Sequence, residues 1–353
     1  MDGAVNVTVE LGERSYDVAL DDGARHQLAE LIASRAPRAR SVAIVTSAEL
    51  ACQPWFDIVS GLPQHVVTVG DGESAKTVGG LESLLEQLAD LELSRDDVVV
   101  AVGGGAITDL AGFASAIYLR GVAVVHIATT LVGQVDAAIG GKTAVNLRAG
   151  KNLAGAFHQP LGVLCDFQTL TTLPERERLS GLGEVAKCWL LEGGFAAELA
   201  AVSLHDLIVM SVKLKAAIVG ADEHEGGSRA LLNYGHTLAH ALEKVSLARN
   251  VDELRHGEAV AIGLAFAVRL ARAMGRVGDS EVLRHDEVLG ALGLAHRVPP
   301  NCPTSSLLEA MAHDKKARHD LTFVLAGAEG FEVVRGVDVT LVQQVLETFR
   351  GEP

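Results

Sequence analysis

The stretch ALLNYGHTLAHALEKV, residues 230–245, carries three polar side chains at intervals of three and four residues: Asn233, His236 and His240. On a helix, this spacing places them on neighbouring turns of one face. The face is otherwise apolar. The three side chains therefore either reach a ligand or are buried at an energetic cost.

The two histidines have the spacing of the H-E-x-x-H helix of zinc proteases. Position 237 is Thr, however, so the glutamate that activates water in that mechanism is absent. This difference excludes a zinc protease.

Other residues can complete a metal site. Glu184 and Lys187, in GLGEVAKCWLL, share a predicted helix face, and His256 stands where an apolar helix begins. A catalytic zinc usually has three protein ligands and one open position, and Glu184 with two of the three histidines can supply that set. The alternatives are an intrahelical ion pair between Glu184 and Lys187, and ordinary buried or capping histidines.

The segment VVVAVGGGAITDLAGFAS predicts a strand that turns into a helix through Gly103, Gly104 and Gly105. Glycines allow close backbone approach, and a helix N-terminus attracts phosphate through its unpaired N–H groups and its dipole. The next strand ends at Thr129 and Thr130, and open α/β sheets bind ligands at this carboxyl edge. We expect a nucleotide here. A plain turn is the alternative, because the loop is neither G-x-G-x-x-G nor a Walker loop.

Several basic residues can form a local anion site in an acidic protein. The chain has 30 basic and 45 acidic residues, a formal charge of -15, which argues against a nucleic-acid surface. Lysines between glycines and small residues are either solvated loop residues or anion ligands. The candidates are Arg120, Lys142, Lys151, Lys187, Lys215, Arg229, Lys315 and Lys316, with Asn152 beside Lys151.

Length and composition indicate a two-domain globular protein. A chain of 353 residues is long for one domain, and 48% hydrophobic residues are enough for sizeable cores. The four cysteines lie far apart, which fits a reduced protein better than a disulfide framework. The N-terminus lacks a signal-peptide pattern, and no uncharged apolar run reaches the roughly 18 residues of a membrane span. We expect a soluble, cytoplasmic protein.

The elements that must position these residues are of two kinds. Residues 4–10 and 15–20 predict a hairpin. Then β-branched runs alternate with helical stretches, as in a parallel sheet covered by helices; the runs are 41–46, 65–69, 97–102 and 122–127, and the stretches include 78–91 and 107–117. From about Leu173 helices dominate, at 175–191, 205–221, 228–245, 257–275 and 280–292, with a small strand at 321–326. We expect two closely packed halves and a cleft between them.

Seven motifs, in this order along the chain, resemble the 3-dehydroquinate synthase family of the sugar phosphate cyclases: GGGAITDLAGF, ATTLVGQVDAAIGGKTAVN, GKNLAGAFHQP, TLTTLPERE, SGLGEVAK, DEHEGGSRALLNYGHTLAHALE and HGEAVAIG. The similarity runs from DGESAK at Asp71 to DKK at Asp314 and is much more specific than any single motif. His224 and Ala239 stand where the family often has Arg and Gly, at positions without an assigned role.

The resemblance implies an α/β fold. It has an N-terminal, Rossmann-like NAD-binding domain with the parallel sheet, residues 1–172, and a mainly α-helical metal and substrate domain, residues 173–353. The implied cofactors are NAD and one divalent metal, zinc or cobalt, held by Glu184, His236 and His256. The implied NAD positions are Asp71, Gly72, Glu73, Ser74, Ala75, Lys76, Gly103, Gly104, Gly105, Ala106, Ile107, Thr108, Asp109, Thr129, Thr130, Asp136, Lys142, Lys151, Thr169, Leu170, Thr171 and Thr172.

The resemblance also implies a substrate site. Its catalytic positions are Lys142, Lys187, Glu225 and His240; its substrate contacts are Arg120, Asp136, Asn152, Lys215, Arg229, Asn233 and Lys315 or Lys316. In the family reaction a ring hydroxyl of 3-deoxy-arabino-heptulosonate 7-phosphate is transiently oxidised by NAD, phosphate is eliminated, the ketone is reduced again, and the ring closes by an aldol step. The expected partner is this small sugar phosphate, in the shikimate pathway, with no nucleic acid or membrane and with a homodimer as the assembly.

Other activities stay open at this point. Aminodehydroquinate synthases handle almost the same substrate and are nearly indistinguishable by sequence. Cyclases that make valiolone or deoxy-inosose alter positions corresponding to Lys215, Asn233, His240 and the DKK lysines, which here are of the dehydroquinate-synthase type. A metal-dependent alcohol or glycerol dehydrogenase does not need the lysine-rich set, and an inactive ligand-binding relative does not need the complete acid-histidine-lysine set.

Overall fold

The computed structural model describes residues 4–248, 254–313 and 320–352. They form two compact units. The first contains the described residues up to Arg178 together with Ser211–His224, and the second contains Leu179–Met210 and the described residues from Glu225 onward. The segment 211–224 thus belongs to the first unit, an assignment that the sequence pattern did not indicate.

The first unit is built on a seven-stranded sheet. The strands of this unit are β1 Val5–Val9, β2 Tyr16–Asp21, β3 Val42–Ser47, β4 Gln64–Val69, β5 Val98–Gly103, β6 Ala123–Ala128, β7 Lys142–Leu147, β8 Gly150–Phe157 and β9 Gly162–Asp166. The sheet order is β1-β2-β9-β6-β5-β3-β4. β1 pairs antiparallel with β2 as the predicted hairpin, and every other pair is parallel. The predicted α/β fold is confirmed.

Helices cover both faces of this sheet. They are α1 Leu28–Arg35, the single turn α2 Ala48–Ala51, α3 Val78–Asp90 and α4 Gly105–Ile117. Val98, Val100 and Val102 of β5 pack with α1, whereas Val99 and Ala101 pack with α3 and α4. Because both faces of the central strands are buried, β-branched residues run through them without polar alternation.

A second, two-stranded sheet lies on α4 and was missed by the sequence pattern. β7 and β8 pair antiparallel, so Lys142 and Lys151 lie on strands rather than in loops. Gly112 of α4 lets this hairpin approach, because a Cβ at Gly112 would overlap the side chain of Thr143. The strand β9 was also missed, since its five residues carry no clear pattern.

The second unit is mainly helical. Its elements, with those shared with the first unit, are α5 Glu175–Leu191, α6 Ala196–Leu199, α7 Leu204–Ala221, α8 His236–Ala248, α9 His256–Ala273, α10 Asp279–Ala291, α11 Thr304–His313, the antiparallel strands β10 Asp320–Gly327 and β11 Gly330–Asp338, and α12 Val339–Gly351. α9 is buried nearly all round, as a central core helix is. No helix within the described ranges is both long and apolar enough to cross a membrane.

The predicted helix 228–245 is wrong in one respect. Residues Ser228–Asn233 form a 3-10 segment, and α8 begins only at His236. The break falls at Gly235, whose φ of +80° is left-handed and favours glycine. Its carbonyl lies so close to α9 that a Cβ at Gly263 would overlap it. Asn233 therefore does not share a helix with His236.

We expect Gly263→Ala to destabilise the protein by about 3 kcal/mol or more, because the new methyl overlaps backbone that cannot move independently. Gly290→Ala is the matched control: Gly290 is an exposed residue of α10, and a methyl group added there would meet no neighbouring atom. This control is expected to gain about 0.5–1 kcal/mol from helix propensity. Urea unfolding measures both, and equal midpoints for the two variants would contradict the packing argument.

Candidate functional site

Three ligand atoms converge in the second unit. Glu184 lies on α5, His236 is the first residue of α8, and His256 is the first residue of α9. One atom from each lies within 4.8 Å of the other two. Glu184 Oε1 is 3.5 Å from His236 Nε2 and 3.1 Å from His256 Nε2. The structure therefore brings together the three residues predicted as metal ligands.

Close contacts between helix backbones place these ligands. Gly183 precedes Glu184 and Gly257 follows His256, and a Cβ on Gly183 would overlap the Gly257 carbonyl. A Cβ on Gly257 would likewise overlap the Ser180 carbonyl. α5 and α9 can approach this closely only because side chains are missing at the contact.

The ring of His236 has a defined orientation. Its Nδ1 is 3.0 Å from the carbonyl oxygen of Tyr234. A carbonyl oxygen only accepts, so Nδ1 carries the proton and Nε2 presents its lone pair to the triad. This is the tautomer that a metal requires.

Glu184 and Lys187 are both 1% exposed and form an ion pair one helix turn apart. Burial raises the pKa of Glu184, but the charge of Lys187 and the two histidines that face this carboxylate outweigh burial and hold this pKa well below its usual range. The ion pair is not aligned as a hydrogen bond, and Glu184 Oε2 has no hydrogen-bond donor within the described residues. An anionic carboxylate whose Oε1 faces two imidazole Nε2 atoms fits a divalent cation such as zinc or cobalt.

His240 stands beside the triad without joining it. Its ring centre is 5.5 Å from that of His236 and 6.4 Å from that of His256. Nearby in sequence, Asn233 Nδ2 donates to Glu225 Oε1 over 2.7 Å, and Glu225 has a left-handed φ of 60°. Arg229 is 2% exposed. Backbone strain of this kind clusters at functional sites.

The glycine loop lies in the first unit, at the carboxyl edge of its sheet. Gly104 is the N-cap of α4, which begins at Gly105, two residues earlier than predicted. A Cβ on Gly104 would lie 2.7 Å from the Thr130 side chain, and one on Gly105 would lie 2.9 Å from Ala137. The loop therefore leaves the N–H groups at the start of α4 close to Thr130, an arrangement suited to a phosphate group.

Two threonines at this edge carry unsatisfied hydroxyls. Thr46, at the end of β3, and Thr129, just after β6, each have a buried Oγ1 without a hydrogen-bond partner among the described residues. Buried hydroxyls are normally paired, so a polar ligand is expected to complete them. Thr129 was predicted from the sequence. Thr46 was missed, although it too is a polar residue at the carboxyl end of a strand.

Lys76, Asp109 and Asn152 also meet at this edge. The Lys76 ammonium forms an ion pair with Asp109 and donates to Asn152 Oδ1 over 2.5 Å. Burial raises the pKa of Asp109 to about 6, although the charge of Lys76 opposes this rise. Asn152 has a left-handed φ of 59°. Asn152, a predicted substrate contact, is thus linked through Lys76 to Asp109, and both Lys76 and Asp109 are predicted nucleotide contacts.

Lys215 reaches the same part of the first unit. Its ammonium donates to the Asp136 carboxylate over 2.5 Å. Asp136 precedes Ala137, which contacts the glycine loop at Gly105. Two further groups of predicted nucleotide-binding residues also follow strands of the sheet. Asp71–Lys76 follow β4 and Thr169–Thr172 follow β9, both at the carboxyl ends of these strands.

The structure does not bring Arg120, a predicted substrate contact, to the glycine loop of the first unit. Arg120 is exposed, with a φ of 67°, and lies just after α4 and before β6. α4 runs about 20 Å from the carboxyl edge of the sheet toward the amino edge, so Arg120 lies at the opposite edge from the glycine loop. Lys315 and Lys316 lie outside the described residues.

Comparisons with known proteins agree with this arrangement. The family model described as 3-dehydroquinate synthase N-terminal matches residues 66–180, and that described as 3-dehydroquinate synthase C-terminal matches residues 181–317. A protein of Amycolatopsis mediterranei provisionally named aminodehydroquinate synthase is 48% identical over 97% of this chain and 93% of its own. A 3-dehydroquinate synthase of Mycobacterium leprae is 43% identical over 90% of each chain.

Solved structures share the fold. A 2-deoxy-scyllo-inosose synthase complexed with carbaglucose-6-phosphate, NAD+ and Co2+ superposes with a TM-score of 0.83 at 24% identity, over 98% of this chain and 100% of its own. ValA, a 2-epi-5-epi-valiolone synthase from Streptomyces hygroscopicus subsp. jinggangensis 5008 with NAD+ and Zn2+ bound, gives a TM-score of 0.75 at 28% identity, over 89% and 91%.

The fold, an α/β part followed by a mainly helical part, is that of the sugar phosphate cyclase structures described above. Within that class, the chain belongs to the dehydroquinate synthase family.

We expect substitutions of His236, in the triad, and of His240, beside it, to affect metal binding differently. His236→Ala is expected to reduce bound metal from about one equivalent per chain to background, because two ligands hold a catalytic metal poorly. His240→Ala is expected to keep the metal, since its ring is outside the triad. Metal analysis after dialysis measures both. Equal metal loss in the two variants would show that the triad is wrongly assigned.

The glycine loop makes a second prediction. Gly104→Ala is expected to weaken NAD binding about tenfold or more, because the methyl pushes Thr130 and the loop apart. Gly79→Ala, at an exposed position of α3, is the control and is expected to leave NAD affinity unchanged. Isothermal titration with NAD compares them. Unchanged affinity in Gly104→Ala would place the nucleotide elsewhere.

Proposed function

We propose that this enzyme is a 3-dehydroquinate synthase that converts 3-deoxy-D-arabino-heptulosonate 7-phosphate to 3-dehydroquinate and phosphate. The observation that carries the proposal is the triad of Glu184, His236 and the partly exposed His256, with Lys187 against it and His240 beside it. The family to which the chain belongs, and a relative at 43% identity named 3-dehydroquinate synthase, support the substrate.

The second unit supplies the metal-binding part. Glu184, His236 and His256 hold a divalent cation, zinc or cobalt, which when bound acts as a Lewis acid toward substrate oxygens. Tyr234 fixes the tautomer of His236 through its carbonyl. Lys187 keeps Glu184 ionised and therefore ready to bind a cation. His240 lies close enough to the triad to donate to the departing phosphate.

The first unit supplies the nucleotide-binding part. The glycine loop, Thr46, Thr129 and Lys76 bind NAD, which when bound accepts and returns a hydride. Asp109 holds the Lys76 ammonium and Asp136 holds the Lys215 ammonium, so both cations are fixed in position. Fixed cations lower the cost of organising a site around a charged substrate.

The basic residues explain how a negatively charged protein can bind a negatively charged substrate. A chain with a formal charge of -15 does not attract a sugar phosphate as a whole. Each charge-assisted hydrogen bond contributes about 1.5–3 kcal/mol, so a few lysines and arginines suffice. The residues proposed to bind the phosphate or carboxylate of the substrate are Lys142, Asn152, Lys187, Lys215, Arg229, Asn233 and His240.

Aminodehydroquinate synthase is the second candidate, because a relative that carries this name is 48% identical over 97% of the chain. Its substrate differs by an amino group in place of one hydroxyl. Discrimination then depends on hydrogen bonds to that single group, which can change specificity by several orders of magnitude.

The test is turnover by the purified protein with NAD and zinc or cobalt. We expect stoichiometric release of phosphate and 3-dehydroquinate from the heptulosonate phosphate, without net NADH. His240→Ala is expected to keep the metal but lose at least about 100-fold in kcat, the usual range for a proton donor.

Three other outcomes would contradict the proposal. Phosphate release only from the 4-amino analogue would establish the second candidate. Net NADH formation from a simple alcohol would indicate a dehydrogenase. Activity that survives complete removal of metal by a chelator would exclude the role of the triad.

A further inference from the structure

Glu243 lies against the metal triad without being one of its ligands. Its Oε2 is 3.5 Å from His256 Nδ1, at the long end of the hydrogen-bond range, and its side chain is 9% exposed. Glu243 is on α8, two turns after His236, so one helix supplies a ligand and brings a carboxylate to a second ligand. A carboxylate this buried is costly unless it interacts with a proton donor or a charge.

The orientation of His256 gives this carboxylate a role. Its Nε2 points to Glu184 Oε1 at 3.1 Å, toward the centre of the triad. A metal takes the lone pair of Nε2, so the ring proton must be on Nδ1, which faces Glu243. His236 is arranged in the same way but uses the neutral carbonyl of Tyr234 as its acceptor.

We propose that Glu243 is a positioning residue for metal binding. It holds His256 as the Nδ1–H tautomer, fixes the plane of its ring, and increases the basicity of Nε2 through its negative charge. The inference deepens the proposed function and rests on the metal site of that function.

The charges near the triad support this role. Lys187 forms an ion pair with Glu184, so the one carboxylate among the ligands is already balanced before a metal binds. When both histidines bind a metal through Nε2, their imidazoles are neutral and add no charge. Glu243 supplies a further negative charge within reach of a ligand, and in a partly buried site that charge favours a divalent cation.

The test measures zinc affinity by competition with a chromogenic chelator, using the full chain. Glu243→Gln keeps the shape and removes the charge, and Glu243→Ala also removes the acceptor. We expect about 10- to 100-fold weaker binding in Glu243→Gln and at least as large a loss in Glu243→Ala.

Glu258→Gln is the matched control. Glu258 is on α9, two residues after His256, and its carboxylate accepts the N–H of Arg255 over 2.8 Å at the start of the helix. This variant removes the same charge from the same neighbourhood, and we expect its zinc affinity to stay within about threefold of the wild type, because charges that do not contact a ligand are largely screened. An equal loss in Glu258→Gln would overturn the specific role of Glu243.

A second readout follows the tautomer directly. In zinc-loaded protein with 15N-labelled histidine, the Nδ1–H proton of His256 is expected to move upfield in Glu243→Gln, whereas that of His236 stays in place. Normal zinc binding by the wild type with no change in Glu243→Gln and Glu243→Ala overturns this inference alone. Absence of zinc binding by the wild type overturns the proposed function and this inference with it.

Discussion

The candidate metal centre depends on contacts between helix backbones rather than between side chains. α9 meets α5 at Gly257 and Gly183, and the segment before α8 at Gly263 and Gly235. Each ligand is the immediate neighbour of one of these glycines, so the distance between helices fixes the distance between ligands. Catalytic and metal-binding groups must be held within about 0.5 Å, and a single added methyl at these contacts exceeds that tolerance.

The close contact between the helix backbones also buries the charge of Glu184. Helices that touch backbone to backbone leave no room for water around Glu184, whose side chain is 1% exposed. The carboxylate therefore needs partners within the protein, and Lys187, His236 and His256 all lie in contact with it. Of the three polar residues on the predicted helix face in the stretch 230–245, His236 is explained by this mutual stabilisation, because it is one of the partners that Glu184 requires.

The sequence predicted those parts of the fold whose periodicity is strong. α5 occupies the predicted range, and the parallel strands begin and end within a residue or two of the β-branched runs. The β7–β8 hairpin was missed because its glycines interrupt the alternation of a strand. The helix break at Gly235 was missed because one glycine in an apolar stretch looks like part of a helix until its contact with α9 is known.

The sites were harder to predict than the fold. Glu184 and His256 are 72 residues apart, and no spacing rule connects them. Only the ordered series of motifs, through its resemblance to a family, assembled the triad. Glu243 and Thr46 were missed because a single carboxylate or hydroxyl carries no pattern. Arg120 stays a predicted substrate contact, although helix α4 carries the chain to the edge of the sheet opposite the glycine loop.

Backbone contacts of this kind also affect how the family can diverge. Asn233 lies outside α8, in a short 3-10 segment, and His240 lies one helix turn after His236. Side chains at such positions can be exchanged while the glycine contacts keep the metal ligands in register. The reaction and the substrate specificity can therefore change independently. One fold can keep its reaction centre and acquire a new substrate through a few changes beside that centre.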